Sequence, residues 1–224
     1  MICHLLIDVS KKENTSVISL DEKTGIQALS KYHQESKDGK NRRIEFEYQR
    51  NGTIGLMAGI DVQTGKIVHH FLNPTRKEQD FVDYIEQMIA KIPTNQEIIF
   101  LSDQLNTHYS ETLVKAIAEK IDFQGDLGKK GQKGILKSKI TRQEFLTNSE
   151  HRIRFVYTPK HCSWLNPIEN WFGRLEKNVI KYGNFESVEI LSDKINEYIL
   201  YYNDCLLKPF QWKFKGFNKN KPFV

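Results

Sequence analysis

The sequence predicts a mixed α/β domain, with antiparallel strands first and strand–helix units after them. Three observations carry this expectation. β-Branched or alternating apolar runs recur through the first third of the chain. From about residue 75 onward, apolar runs alternate with segments whose apolar residues follow helical spacing. No repeat and no internal linker interrupts the chain, and 224 residues suffice for one large domain or a domain with an extra arm.

In order along the chain, Val17–Leu20 inside TSVISLDEKTG is a buried-strand run, expected to end at Asp21. Residues 33–43, HQESKDGKNRR, are polar and read as a loop. RIEFEYQ alternates with period two, as a half-buried strand does. GTIGLMAGIDVQTGKIVHHFL is two apolar runs joined by DVQTGK, a hairpin. Phe81, Val82, Ile85, Met88, Ile89 and Ile92 follow helical spacing, with Thr75 as the expected cap and Pro93 as the stop. EIIFLSD is a second short apolar run ending in an acid, Asp103. SETLVKAIAEKI reads as a helix, and RIRFVYTP as a strand ended by Pro159. SVEILSDKINEYILYYND is a last amphipathic helix, with Val188, Leu191, Ile195, Tyr198 and Ile199 on one side.

The balance of 39% hydrophobic and 27% charged residues is that of an ordinary soluble chain. No stretch approaches the roughly eighteen apolar residues of a membrane span, and MICHLLIDVSKK is too short an apolar patch for a signal peptide. Cys3, Cys162 and Cys205 form neither a CxxC pair nor a disulfide framework, so a reducing cytoplasm is expected. The net charge of +5 is concentrated. Residues 125–142, GDLGKKGQKGILKSKITR, hold six basic residues against Asp126 and are expected as a long loop. Residues 208–224, KPFQWKFKGFNKNKPFV, hold five lysines and no acid. Either segment alone could be a solvated surface; two of them point to a polyanionic partner.

The stretch TPKHCSWLNPIENWFGRL places Glu169 at the start of an apolar helix. Asn166 suits an N-cap and Pro167 the first helical position, so Glu169 could act as a capping carboxylate. Ile168, Trp171, Phe172, Leu175 and Val179 form one apolar stripe, and Glu169 lies off it. One turn on, at the same azimuth, sits Gly173, so the carboxylate also suits a group that something large must approach. Should the strands ending in Asp21 and Asp103 be neighbours, those carboxylates and Glu169 meet at one sheet edge. Such a cluster needs a cation, and hard oxygen donors select Mg²⁺ or Mn²⁺, two of which could clamp a phosphodiester. Glu22 and Asp61 are weaker candidates near strands. His108 and His161 could touch phosphate or metal, or serve as hydrogen-bonding fixtures, and Lys160 could hold a phosphate. Trp164, Trp171 and Phe172 are expected in the core.

SLDEKTGIQAL, LSDQLNTH, DLGKKGQKGILKSK, YTPKHCSWLNPIENWFG and YYNDCLLKPFQWKFKG together resemble bacterial insertion-sequence transposases related to the mariner elements, over about Val17 to Gly216. The resemblance implies the DDE group and a ribonuclease-H-like, retroviral-integrase-like mixed sheet flanked by helices. It implies Mg²⁺-dependent cleavage and strand transfer of DNA, with Asp21, Asp103 and Glu169 as catalytic residues and ligands of a two-ion Mg²⁺ or Mn²⁺ site. Asn106, His108, His161 and Asn166 are expected to support them. Lys129, Lys130, Lys133, Lys137, Lys139, Lys160, Lys213 and Lys215 are expected on nucleic acid. The expected partners are double-stranded DNA (terminal inverted repeats and target), a second copy in a homodimer, and a separate helix-turn-helix subunit, since the chain starts almost at the first catalytic strand. The expected place is the cytoplasm, at the nucleoid. The expected division is a remnant or linker at 1–16, a catalytic domain at 17–205 and a basic aromatic tail at 206–224. A rival reading is a truncated, catalytically silent module that binds DNA non-specifically or pairs with an intact transposase. A third, another ribonuclease-H-like nuclease, fits the carboxylates but not NPIENWFG and PFQWKFKG.

Overall fold

The computed structural model describes residues 2–8, 13–35, 42–73 and 77–214, with backbone alone at 32–35 and 42–46. Five strands form one sheet in the order β3-β2-β1-β4-β5. They are β1 (Thr15–Glu35), β2 (Arg42–Asp61), β3 (Ile67–Asn73), β4 (Glu97–Ser102) and β5 (Ile153–Tyr157). β1, β2 and β3 run antiparallel, whereas β4 lies parallel to both β1 and β5. That is the mixed sheet the sequence predicts.

One face of the sheet presents Ile18, Leu20, Ile98, Phe100 and Phe155. On it pack α2 (Glu78–Ile89), α3 (Glu111–Lys120) and α4 (Lys139–Thr147). The other face presents Val17, Ala58, Ile60, Ile99 and Leu101. It is covered by α5 (Ile168–Leu175), α6 (Val188–Cys205), the short α1 (Ile2–Asp8) and the segment after α6. The period-two alternation of strand side chains thus splits the core into layers on either side of the sheet.

Several expectations need correction. β1 does not end at Asp21: its pairing with β4 stops at Ser19–Leu101, but its pairing with β2 continues to Glu35. Glu22, Lys23, Thr24 and Gly25 look like a turn in sequence; in the fold Gly25 takes φ 69° at a break in register between Lys23 and Ile26. A bulge there lets the strand carry on. RIEFEYQ and the first half of the hairpin are likewise one strand, β2, with Gly52 at φ 117°. The loop reading of residues 33–43 gives way to strand at both of its ends, and residues 36–41 lie outside those described.

The expected cap Thr75 also lies outside the described residues; α2 starts at Glu78, where the Asp80 carboxylate accepts from Lys77 N at 2.8 Å. α4 begins inside the segment expected as a loop, capped by Ser138 Oγ, which accepts from Thr141 N at 3.2 Å. Only Phe145 and Leu146 of that helix are buried, which left little periodic signal. α1 was not anticipated. Trp171 and Phe172 are core, as expected, but Trp164 is 49% exposed. Asp61 is a turn residue whose carboxylate accepts from Gln63 N at 2.7 Å.

Candidate active site

The β1–β4 register brings the aspartates together. Thr15 pairs with Glu97 and Ser19 with Leu101, so two residues further along each strand Asp21 lies level with Asp103. Adjacent strands run about 4.8 Å apart, and the pairing stops just short of the acids, so both stand at the mouth where the strands part. Side-chain alternation puts Ser19 and Asp21 on the face covered by α5, and Leu101 on the same side of β4; Asp103 directly follows the end of β4.

Asp103 is held from below. Its Oδ1 accepts from Leu105 N at 3.1 Å and lies 3.0 Å from His108 Nδ1. His108 is fully buried, and its Nδ1 is also 3.2 Å from the Asp103 carbonyl and 2.8 Å from Ser102 Oγ. A carboxylate and a carbonyl only accept, so the ring proton sits on Nδ1 and donates to Asp103. Burial raises the Asp103 pKa, but the His108 hydrogen bond and charge and the Leu105 N–H outweigh it, and the net shift is downward.

Asp21 is held from the opposite side. Its Oδ1 accepts from Glu22 N at 2.8 Å and its Oδ2 from Asn166 Nδ2 at 3.0 Å. Burial pushes its pKa up to about 6; the charges of Asp103 and Glu169 add to this, against the two hydrogen bonds. The three carboxylates therefore share one electrostatic field.

Glu169 opens α5, but not in the way expected of a capped helix. Asn166 does not cap with its side chain. Its Oδ1 accepts from Ser19 Oγ at 2.5 Å, and its Nδ2 donates to Leu20 O at 2.9 Å as well as to Asp21. The cap comes from β1: Ser19 Oγ accepts from Ile168 N at 2.8 Å. The Asn166 N–H that a capping Glu169 would take already donates to Ser163 O at 2.7 Å. Glu169 is exposed, and a Cβ built on Gly173 would meet nothing within 4 Å. Among the described residues, no hydrogen bond or ion pair engages this carboxylate, which suits it to another task.

Among the described residues, no three His, Cys, Asp or Glu side chains close around one point as a metal cage. The carboxylates frame an open, all-oxygen edge. That donor set fits Mg²⁺ or Mn²⁺, which take carboxylate oxygens and keep several waters. Burial does most to raise the Asp21 pKa, and the charges of Asp103 and Glu169 add a repulsion that such a cation would relieve.

Of the four expected supporting residues, His108 and Asn166 touch the carboxylates. Asn106 instead accepts from Lys139 Nζ at 3.0 Å, and His161 is an exposed residue at φ 61°. Lys139 also lies 4.6 Å over the Tyr109 ring, so the fold brings this lysine of the basic segment close to the site. Lys130 pairs with Glu111 at 3.6 Å and Lys133 with Asp126 at 3.7 Å, all four near the surface. Lys129, Lys137, Lys160 and Lys213 are exposed, and Lys215 lies outside the described residues. Sequence reasoning missed Ser19 and Ser102. The available signal was a hydroxyl inside each apolar run, in SLD and LSD.

Two predictions arise here. Asp21 has a folded pKa near 6, above its unfolded value of 3.8, so the folded state holds the proton more tightly. Its contribution to stability is full below about pH 4 and lost as pH rises through 6. Metal-free Asp21→Asn should therefore gain about 2 kcal/mol over wild type between pH 4 and pH 7; thermal unfolding of both proteins at the two pH values checks this. Gly173→Ala should raise stability by about 0.5–1 kcal/mol, since the site has room and glycine is costly inside a helix. Unchanged or lowered melting would mean the helix is not regular at that point.

The sequence matches the family described as DDE superfamily endonuclease over residues 16–192. No curated protein matches it. Among solved structures, it is similar to the Mos1 mariner paired-end complex with Mn, at TM-score 0.59 and 13% identity, covering 94% of this chain and 55% of that one. It is also similar to the Mos1 transposase catalytic domain with raltegravir and Mg, at TM-score 0.55 and 12% identity, over 94% and 83% of the two chains. The Mos1 catalytic domain by itself gives TM-score 0.54 at 12% identity, over 94% and 81%. At such identities the likeness establishes the fold, a ribonuclease-H-like mixed sheet flanked by helices. The chain spans about half the length of the Mos1 chain in the paired-end complex. The family match covers most of the chain and all three carboxylates of the sheet edge: the chain belongs to the DDE superfamily endonucleases.

Proposed function

We propose that this chain is the catalytic domain of a mariner-related transposase, which cuts DNA strands at the ends of an insertion sequence and joins them to target DNA. The supporting observation is that Asp21 and Asp103 lie level where β1 and β4 part, with the charges of Asp103 and Glu169 both acting on Asp21. These are the proposed catalytic residues and the ligands of a pair of Mg²⁺ or Mn²⁺ ions. When bound, such ions polarise the scissile phosphate and lower the pKa of an attacking water.

The protein's own part is positional. His108 fixes the Asp103 carboxylate through Nδ1–H. Asn166 joins Asp21 to the entry of α5, so the helix carrying Glu169 cannot shift independently of β1. The open surface above Gly173 leaves room for a DNA backbone to approach Glu169. The Mos1 structures include paired-end and strand-transfer complexes, which supports transposon ends and target DNA as partners and a homodimer as the working form. A helix-turn-helix subunit is the proposed reader of the terminal repeats, and the nucleoid the proposed place of action.

Soaking crystals in Mn²⁺ tests the centre. Anomalous density should appear beside Asp21 and Asp103, and cleavage of end-bearing DNA should need the same ion and stop with EDTA. Carboxylates more than about 10 Å apart would be too far to share an ion pair, and the proposal would fail.

Lys129, Lys130, Lys133, Lys137, Lys139, Lys160, Lys213 and Lys215 are the proposed phosphate contacts. Each neutralised phosphate adds about 0.9 to the slope of log affinity against log salt on duplex DNA. Replacing Lys129, Lys130 and Lys133 with alanine should flatten that slope by roughly two to three units, without changing sequence preference. An unchanged slope would remove the basic segment from the interface.

A further inference from the structure

α6 carries more apolar surface than the core takes up. Leu191, Ile195, Ile199 and Tyr202 are buried along one side of it. Ile190 and Tyr201 lie outside that face and are 41% and 54% exposed. With Lys194 and Glu197 they follow one another at steps of four, three and four residues, which lines all four up on one outward stripe. The same spacing forms the seam along which one helix packs against another. Lys194 Nζ lies 2.6 Å from Glu197 Oε2, with both side chains more than half exposed. The four residues also line an open groove of about 440 Å³, together with Val179, Phe185 and Tyr198. Single exposed apolar residues need no explanation, but an apolar pair on a helix seam beside such a groove marks a contact surface.

The stripe is complementary to itself. Turned end for end about a two-fold axis midway between Lys194 and Glu197, a second copy sets its Tyr201 against Ile190 and its Glu197 against Lys194, and every contact occurs twice. Both pairs are centred on the same point of the helix, so one register satisfies both. A parallel arrangement would set lysine on lysine and glutamate on glutamate, which is unfavourable. A foreign partner would have to reproduce this pattern of charge and apolar surface; a second copy already carries it.

We infer that the outward stripe of α6 is a two-fold interface between two copies of the chain, helix against antiparallel helix, with the groove beside Ile190 taking the Tyr201 ring of the second copy. This pairing rests on the homodimer proposed above as the working form and gives it a surface. From Ile190 to Tyr201 the stripe is about 16 Å long at about 1.5 Å per residue, so the interface is small and the association weak and concentration-dependent. Exposed charge pairs add little affinity but fix the register. The tyrosine and isoleucine contacts supply the affinity.

Sedimentation velocity of the full chain, without DNA and in EDTA at low salt, tests the interface over a range of about 1–100 μM, where weak complexes dissociate. Wild type should pass from monomer to dimer as concentration rises. Tyr201→Ala should weaken dimerisation by about tenfold or more, because each loss counts twice across the axis. Leu200→Ala should change nothing: Leu200 is 65% exposed but lies a quarter-turn off the stripe. Lys194→Glu and Glu197→Lys should each lower self-association several-fold, since each sets like charges against one another across the axis. An equimolar mixture of those two variants should recover wild-type association, because the mixed dimer pairs opposite charges at both positions. Wild type that stays monomeric throughout the range would overturn the interface. So would a mixture no more associated than its parts, or Leu200→Ala losing as much as Tyr201→Ala. A dimer indifferent to Tyr201→Ala and to both charge reversals would also overturn it, while leaving the homodimer standing on another surface.

Discussion

Asp103→Asn is expected to abolish metal-dependent strand cleavage and leave the fold intact. The asparagine keeps the size of the side chain, and its Oδ1 can still accept from His108 Nδ1 and Leu105 N. What it loses is a negative oxygen at the mouth of the β1–β4 pair. Without metal the loss relieves Asp21, whose pKa the Asp103 charge helps to raise, but it also removes a carboxylate whose charged form the fold favours through His108 and the Leu105 N–H. Melting at neutral pH should therefore be unchanged or slightly lower, and Asp21 should titrate at lower pH. A bound cation would lose a charged ligand. Metal polarisation of a phosphoryl oxygen contributes several kcal/mol, so single-turnover cleavage should fall by roughly three orders of magnitude or more. Cleavage near the wild-type rate would remove Asp103 from the catalytic set, and a large drop in melting would mean that its role is structural.

The residues that end apolar runs in an acid were legible because burial and chemistry coincide there. A β-branched run stopping at Asp21 and another stopping at Asp103 each mark a point where the chain leaves the core. The prediction that the runs are neighbours holds, but the reason Asp21 lies at an edge was misread. It ends the pairing with β4, not the strand, and a local window cannot distinguish the two because pairing is set by a partner more than eighty residues away along the chain. The same limit explains Asn166. Its sequence neighbourhood fits a helix cap, but Ser19 of a distant strand takes over the capping and Asn166 turns to bind that strand. Trp164 was assigned to the core on composition alone, and only the path of the β5–α5 connection reveals that it sits at a rim. The missed α4 had the weakest periodic pattern, because it buries only two side chains.

Asn166→Ala should destabilise the protein by about 3 kcal/mol and impair cleavage without touching metal or DNA. Its side chain is buried, at 1% exposure, and makes three hydrogen bonds at once, accepting from Ser19 Oγ and donating to Leu20 O and Asp21 Oδ2. Alanine leaves the Leu20 carbonyl without this donor and removes a donor from a carboxylate already short of solvation. A buried group left unsatisfied costs about 1–3 kcal/mol, more where it is charged. For a chain of this size that corresponds to a fall in melting temperature of roughly 6–12 °C. The Asp21 pKa should rise further, because the Asn166 hydrogen bond is one of the forces lowering it. The stability penalty should therefore be larger at pH 7 than at pH 4. An ordinary N-cap would behave differently: its replacement by alanine costs about 1 kcal/mol and does not alter the titration of an aspartate on another strand. Melting curves at the two pH values separate the cases. A loss near 1 kcal/mol that does not vary with pH would mean that Asn166 caps α5 and does not tie Glu169's helix to Asp21.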